Sequence, residues 1–208
     1  VSLGAIVRNT ASQIAYRTTV TLRVSDPQGR TAIDPLNAAQ LILEIPIIMP
    51  GQQVAVASSA GLRTDLSPAG RPDKVASFDV TLGPTLWLPP ENTTLFPTVT
   101  TTYLGVDRFD GDPTSGRVRY SVTSTSCRPL VARGSFAVFL DQTGAVVGGA
   151  FDPDTTSPHC DAMDHEESLS TIHSIPTGID EAKTVVSVYC DIATVGGGRV
   201  KPSGAPFN

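Results

Sequence analysis

The chain has 208 residues and a formal net charge of −5, with 40% apolar and only 17% charged residues. That length suits two units of about 100 residues each. The mild acidity supplies neither the basic patch that nucleic acid requires nor a polybasic stretch for an anionic membrane. No apolar run reaches the 18 residues or more of a membrane-spanning helix. Thr, Ser, Val, Pro and Gly fill the place of the missing charges, a mix that favours strands and turns. Arg outnumbers Lys, which occurs at Lys74, Lys183 and Lys201, a bias associated with GC-rich bacterial coding. Val1 is not a translation start, so we expect a processed chain or a piece of a longer one.

In chain order, Ser2 to Arg8 alternates, with Leu3, Ala5 and Val7 on one face of an expected strand. Asn9-Thr10-Ala11-Ser12 is a turn-forming loop, followed by a strand from Thr18 to Ser25. Asp26-Pro27-Gln28-Gly29 has the Pro and Gly placement of a tight turn. Leu41 to Met49 is apolar but interrupted by Pro46, which places it at an edge or a bend. Pro50-Gly51 turns the chain into Gln52 to Ser58, and a further pattern runs from Val75 to Leu88. Thr98 to Val106, Arg117 to Thr123, Ser135 to Leu140, Ala145 to Phe151 and Thr184 to Ile192 follow as strands. The stretch from Asp161 to Leu169 has room for one short helical turn, and helix is otherwise not expected.

Read at a spacing of 115 residues, the chain repeats itself. Leu3, Ala5 and Val7 answer to Val118, Tyr120 and Val122; Val24, Asp26 and Gly29 answer to Phe139, Asp141 and Gly144. An internal repeat constrains architecture before any single residue does. We therefore expect an all-β protein of two tandem Ig-like antiparallel β-sandwich modules, at 1–90 and 91–195, with a loose tail at 196–208. Pro89 to Pro97 is the expected linker. Matching Pro50-Gly51 to Pro176-Thr177-Gly178 implies an insertion of about a dozen residues in the second copy, near 152–170, carrying Cys160 and all three histidines. The second copy also has a strand, Thr98 to Val106, with no counterpart in front of Val1, so upstream sequence or a partner is expected to supply one.

The segments Val7 to Ser12, Val24 to Gly29 and Met49 to Gln52, with their counterparts Val122 to Cys127, Phe139 to Gly144 and Ile175 to Gly178, carry a family resemblance. This succession of strands and turns resembles the FxLYD and CARDB-type β-sandwich modules of bacterial envelope proteins. The resemblance implies a non-catalytic module that braces, spaces or binds, and it brings no active-site motif.

Three cysteines in such a chain suggest one disulfide and one thiol left over. If the strands alternate in direction and the insertion is a loop, Cys160 lies beside Cys127, whereas Cys190 falls at the opposite end with its side chain in the core. That favours a Cys127–Cys160 bridge and a buried free thiol at Cys190, with Cys160–Cys190 or no bond as alternatives. Several groups invite chemistry. His159, Asp161, His165 and Glu166 cluster within the insertion and offer ligands for Zn²⁺ or Cu²⁺, although the spacing is no known metal motif and a polar surface loop held by a bridge is the favoured reading. Asp107, Asp110 and Asp112 suit a Ca²⁺ site or a plain acidic turn. Trp87 suits packing between the modules better than stacking on a sugar, since aromatics are only 6% of the chain. All three histidines fall in one stretch and no Gly-x-Ser-x-Gly elbow occurs, so nucleophilic catalysis finds no support and no cofactor is expected. The composite expectation is an exported envelope or extracellular protein that acts as a structural, adhesive or accessory subunit through another surface protein, with strand addition as one mode of assembly. A ligand- or metal-binding module using the His159–Glu166 segment is the alternative. A hydrolase with a carboxylate pair in a cleft between the modules is a second one.

Overall fold

The computed structural model describes residues 1–63, 75–126, 129–153, 160, 165–168, 172–173 and 175–192. The strands among them are β1 (Ser2–Arg8), β2 (Ile14–Ser25), β3 (Ile42–Ile48), β4 (Gln53–Ser59), β5 (Ser77–Leu82), β6 (Leu86–Leu88) and β7 (Val99–Phe109) in the first part of the chain. They continue with β8 (Asp112–Ser124), β9 (Val131–Leu140), β10 (Val146–Asp152), β11 (His165–Ser168), β12 (Ile172–His173) and β13 (Val185–Asp191). Among the described residues helix is limited to short 3-10 turns at Pro35–Leu41, Pro90–Leu95 and Glu181–Lys183. All strand pairings are antiparallel and form four small sheets: β1-β4, β3-β2-β5 with β6 also on β2, β10-β9-β13, and β11-β8-β12 with β7 also on β8.

Pro46 lies in β3, an edge strand, where its missing N–H costs no ladder bond. It stands across from Arg17, whose φ of 52° is the one positive value at a non-glycine residue among the described residues. The 115-residue repeat reappears bond for bond. Asp26 Oδ1 accepts from the N–H groups of Gln28 and Arg30 at 2.9 Å, and Asp141 Oδ1 accepts from those of Thr143 and Ala145 at 2.8 and 3.0 Å. Gly29 and Gly144 close these turns at φ 78° and 86°, where a side chain would be strained. Likewise Asn9 Oδ1 accepts from Ala11 N–H, and at the matching place Ser124 Oγ accepts from Ser126 N–H.

The repeat extends to the sheets. Central strands β2 and β9 correspond, flanked by β3 and β5/β6 in one half and by β10 and β13 in the other. Strand β1 pairs with β4, and β8 pairs with β11 and β12. The expected insertion therefore contains strands that occupy the place of β4. Its β11 segment, His-Glu-Glu-Ser, carries no apolar alternation, which is why the sequence pattern concealed it.

This hidden passage reverses the direction of the closing strand. Strand β13 runs antiparallel to β9 and brings Cys190 opposite Ala132, at the start of β9 rather than its far end. The bridge is Cys160–Cys190, with Cα atoms 5.8 Å apart. Cys190 is buried and in phase with Val186 and Val188, but it is not a free thiol, and Cys160 is not bonded to Cys127. Cys127 itself lies outside the described residues. The Cys160 carbonyl accepts from Leu130 N–H at 3.0 Å, which holds the bridge against the mouth of β9.

The two halves share their interior. One buried cluster joins Leu3, Val20, Leu22 and Val56 to Phe136, Val138 and Tyr189; the other joins Ile14, Leu88 and Phe96 to Tyr120, Phe139 and Val188. Strands β4, β9 and β13 are buried along nearly their whole length, so both faces of each are covered. The β1-β4 sheet is packed between the β2 sheet and the β9 sheet. The approach is close because small residues meet there: a Cβ placed on Gly149 would lie 2.5 Å from the Leu3 carbonyl oxygen, and one on Gly4 would lie 2.4 Å from that of Gly148. The expected linker is partly the Pro90–Leu95 turn, and Phe96 beyond it is buried.

Candidate functional site

A cleft of about 660 Å³ opens between the halves. Strand β13 and the start of β7 form one side, and the β3–β4 turn overhangs the other. That turn is pinned by Asn9, which is buried. Its Nδ2 donates to the Ile48 and Gln13 carbonyls at 2.9 and 2.8 Å, its N–H donates to Gln52, and its carbonyl accepts from Gly51. The Asn-Thr-x-Ser loop and the Pro-Gly pair, read from sequence as separate turns, are thus one bonded unit at the cleft lip.

On the opposite side, Thr101 Oγ1 donates to the Val186 carbonyl at 2.6 Å, tying β7 to β13 through a side chain rather than a ladder. Tyr103 OH donates to Glu181 Oε2 at 3.3 Å. Burial, then the nearby Glu181 charge, pushes the Tyr103 phenol up to about 12. Tyr189 OH donates to the Ala55 carbonyl at 2.7 Å, and Ser187 Oγ accepts from Ala55 N–H at 2.9 Å. Both backbone groups of Ala55 on the unpaired side of β4 are satisfied by side chains of the other half. Burial alone pushes the Tyr189 phenol up as well.

Among the described residues the cleft lining is apolar, amide or hydroxyl, and its titratable groups are these two neutral phenols. Such a surface packs and hydrogen-bonds. Beside it, Arg17 pairs with Glu44 at 3.3 Å and Arg133 with Asp191 at 2.7 Å. The Asp191 hydrogen bond raises Arg133 above its ordinary value. These two carboxylates are engaged by arginines.

His159 and Asp161 lie outside the described residues. His165 and Glu166 are paired through their backbones with Val122 and Ser121 of β8. Asp107 accepts from Arg119 Nε at 3.1 Å, and Asp112 accepts from Thr114 and Ser115 within its own turn. With Asp110 they occupy the β7–β8 hairpin, but among the described residues no three His, Cys, Asp or Glu side chains converge on a metal-sized site. Trp87 is 45% exposed and belongs to neither buried cluster; packing at the junction falls to its neighbours Leu86 and Leu88. Sequence reasoning missed Ser187, Tyr189 and the Gly4, Gly148 and Gly149 contact. The Gly148-Gly149 pair inside an otherwise apolar strand was the signal available, since glycine there marks close backbone approach.

Compared with family models, curated proteins and solved structures, the chain matches none.

Proposed function

We propose that the chain is a non-catalytic, exported structural, adhesive or accessory subunit that acts through contacts with other proteins. We read its four sheets as two Ig-like sandwich modules, β1-β4 facing the β2 sheet and the β8 sheet facing the β9 sheet. The observation that carries the proposal is the locking of the halves together. Glycines bring backbone against backbone between β1 and β10, and Ser187 and Tyr189 bond to Ala55 across the junction. A body that spaces or braces its neighbours needs such a junction, because a small polar one would act as a hinge. The buried Cys160–Cys190 bridge is in keeping with an oxidising compartment, and the resemblance of the turn motifs to those of envelope modules points the same way.

The test is equilibrium unfolding followed by Trp87 fluorescence, which reports on the first half, and by mapped hydrogen exchange of β9 and β13 in the second. One coincident transition is expected. Two separated transitions would refute the braced body, and loss of the disulfide-bonded form on secretion into an oxidising compartment would refute export.

A further inference from the structure

The two halves differ at one strand. In the second, β7 pairs with the outer edge of β8 from Val99 opposite Ser124 onward and lies over β13. Val186 and Val188 of β13, partners of Ala137 and Ser135, are each only 8% exposed. In the first half, β1 stands in the place of β8 and has β4 as its one strand partner among the described residues. Strand β5 stands in the place of β13: Leu22 pairs with Val80, and Val20 with Leu82. Directly opposed residues in an antiparallel pair project to the same side. Leu22 and Val20 are buried in the core, yet Val80 is 38% and Leu82 55% exposed. An edge with no strand partner among the described residues and two exposed residues on the core-facing side therefore mark the same gap, which β7 fills in the other half.

We infer that this gap receives an extended segment of a partner polypeptide, added antiparallel to β1 in the register β7 uses on β8, with alternate apolar residues covering Val80 and Leu82. The inference rests on the reading of the chain as a contact protein and names the partner chemistry. Strand β7 is the template: Thr101, Tyr103 and Val106 oppose Val122, Tyr120 and Val118, whose counterparts on β1 are Val7, Ala5 and Leu3. Ladder bonds to β1 give such a segment affinity, and its alternate side chains give it selectivity.

The probe is a nine-residue peptide of sequence 98–106, added to the intact chain and read by hydrogen exchange. A second arm joins residues 98–115 ahead of Val1, which reproduces the β7–β8 connection in front of β1. Alternate β1 amides are expected to exchange at least tenfold more slowly with the peptide and in the joined chain. Leu82→Asp, at an exposed position, should weaken peptide binding at least tenfold without changing unfolding of the free chain. Unchanged β1 exchange with the peptide overturns the inference, and protection in the joined chain alone assigns the gap to sequence ahead of Val1 instead. Protection of β8 in place of β1 also overturns it, as does β1 protection that rises with protein concentration alone and identifies a second copy as the occupant. Coincident unfolding of the halves is independent of the β1 edge, so either reading can fail without the other.

Discussion

Gly149→Ala tests the junction between the halves most directly. The added Cβ would sit 2.5 Å from the Leu3 carbonyl oxygen, 2.8 Å from Ala57 Cβ and 2.9 Å from Gly4 Cα. Two of these atoms are backbone, so no side-chain rotation relieves the clash. Restoring ordinary contact requires the β1-β4 sheet to move away by about 0.9 Å, and a gap of 0.5–1 Å forfeits about a quarter to a half of each dispersion contact across it. Overpacking of this kind costs roughly 1–3 kcal/mol, and reduced freedom of the unfolded chain returns about 0.4–1 kcal/mol. We expect a net loss of about 2 kcal/mol, the upper part of the range because the obstruction is backbone. With a urea slope of about 2 kcal/mol per M, the midpoint falls by about 1 M. The assay is urea unfolding followed by Trp87 fluorescence and far-ultraviolet circular dichroism. Gly61→Ala is the control, since its added Cβ meets nothing closer than the end of the Asn37 side chain at 3.2 Å, with Asp34 Cβ at 4.0 Å; it should stay within about 0.5 kcal/mol of the parent. A Gly149→Ala midpoint equal to that of Gly61→Ala would refute the close junction.

Three further outcomes are expected. Cys160→Ala with Cys190→Ala opens a loop with a sequence separation of 30 and should cost about 3–4 kcal/mol; in the denatured parent protein one thiol should label, mapping to Cys127. Tyr189→Phe leaves the buried Ala55 carbonyl without its 2.7 Å donor and should cost about 1–3 kcal/mol by urea unfolding, with no change in secondary structure by circular dichroism. The hydrogen bond from Thr143 Oγ1, followed by the backbone N–H of Ala145, holds the Asp141 carboxyl below its ordinary value. Because the folded value is the lower one, its stabilisation is complete above about pH 4 and is lost as pH falls through the folded value. Parent and Asp141→Asn proteins should therefore differ in urea midpoint at pH 7 and converge in acid; a gap that stays constant or widens as the pH falls would contradict the assignment.

The strands and turns were legible because their signals are local. Alternation of Val20, Leu22 and Val24 marks one face of β2, and Asp26 and Asp141 organise their turns through neighbours two and four residues on. The cysteine pairing was not legible, because it depends on the direction of β13. That direction depends on whether His165–Ser168 forms a strand, and a polar edge segment carries no alternation to reveal it. The Trp87 expectation failed for a related reason: on a strand as short as Leu86–Leu88, either face can be the buried one, and here Leu88 takes it.

The amino-acid order by itself determined an all-β chain, its 115-residue repeat and most strand positions, since period-two patterning and turn chemistry act over a few residues. Only the tertiary structure decided the Cys160–Cys190 bridge, the shared interior and the uncovered edge beside Val80 and Leu82. Those features depend on which strands and faces meet across separations from 30 to more than a hundred residues. At the junction, glycine and alanine bring backbones together by omitting side chains, and a missing side chain leaves little pattern in a sequence.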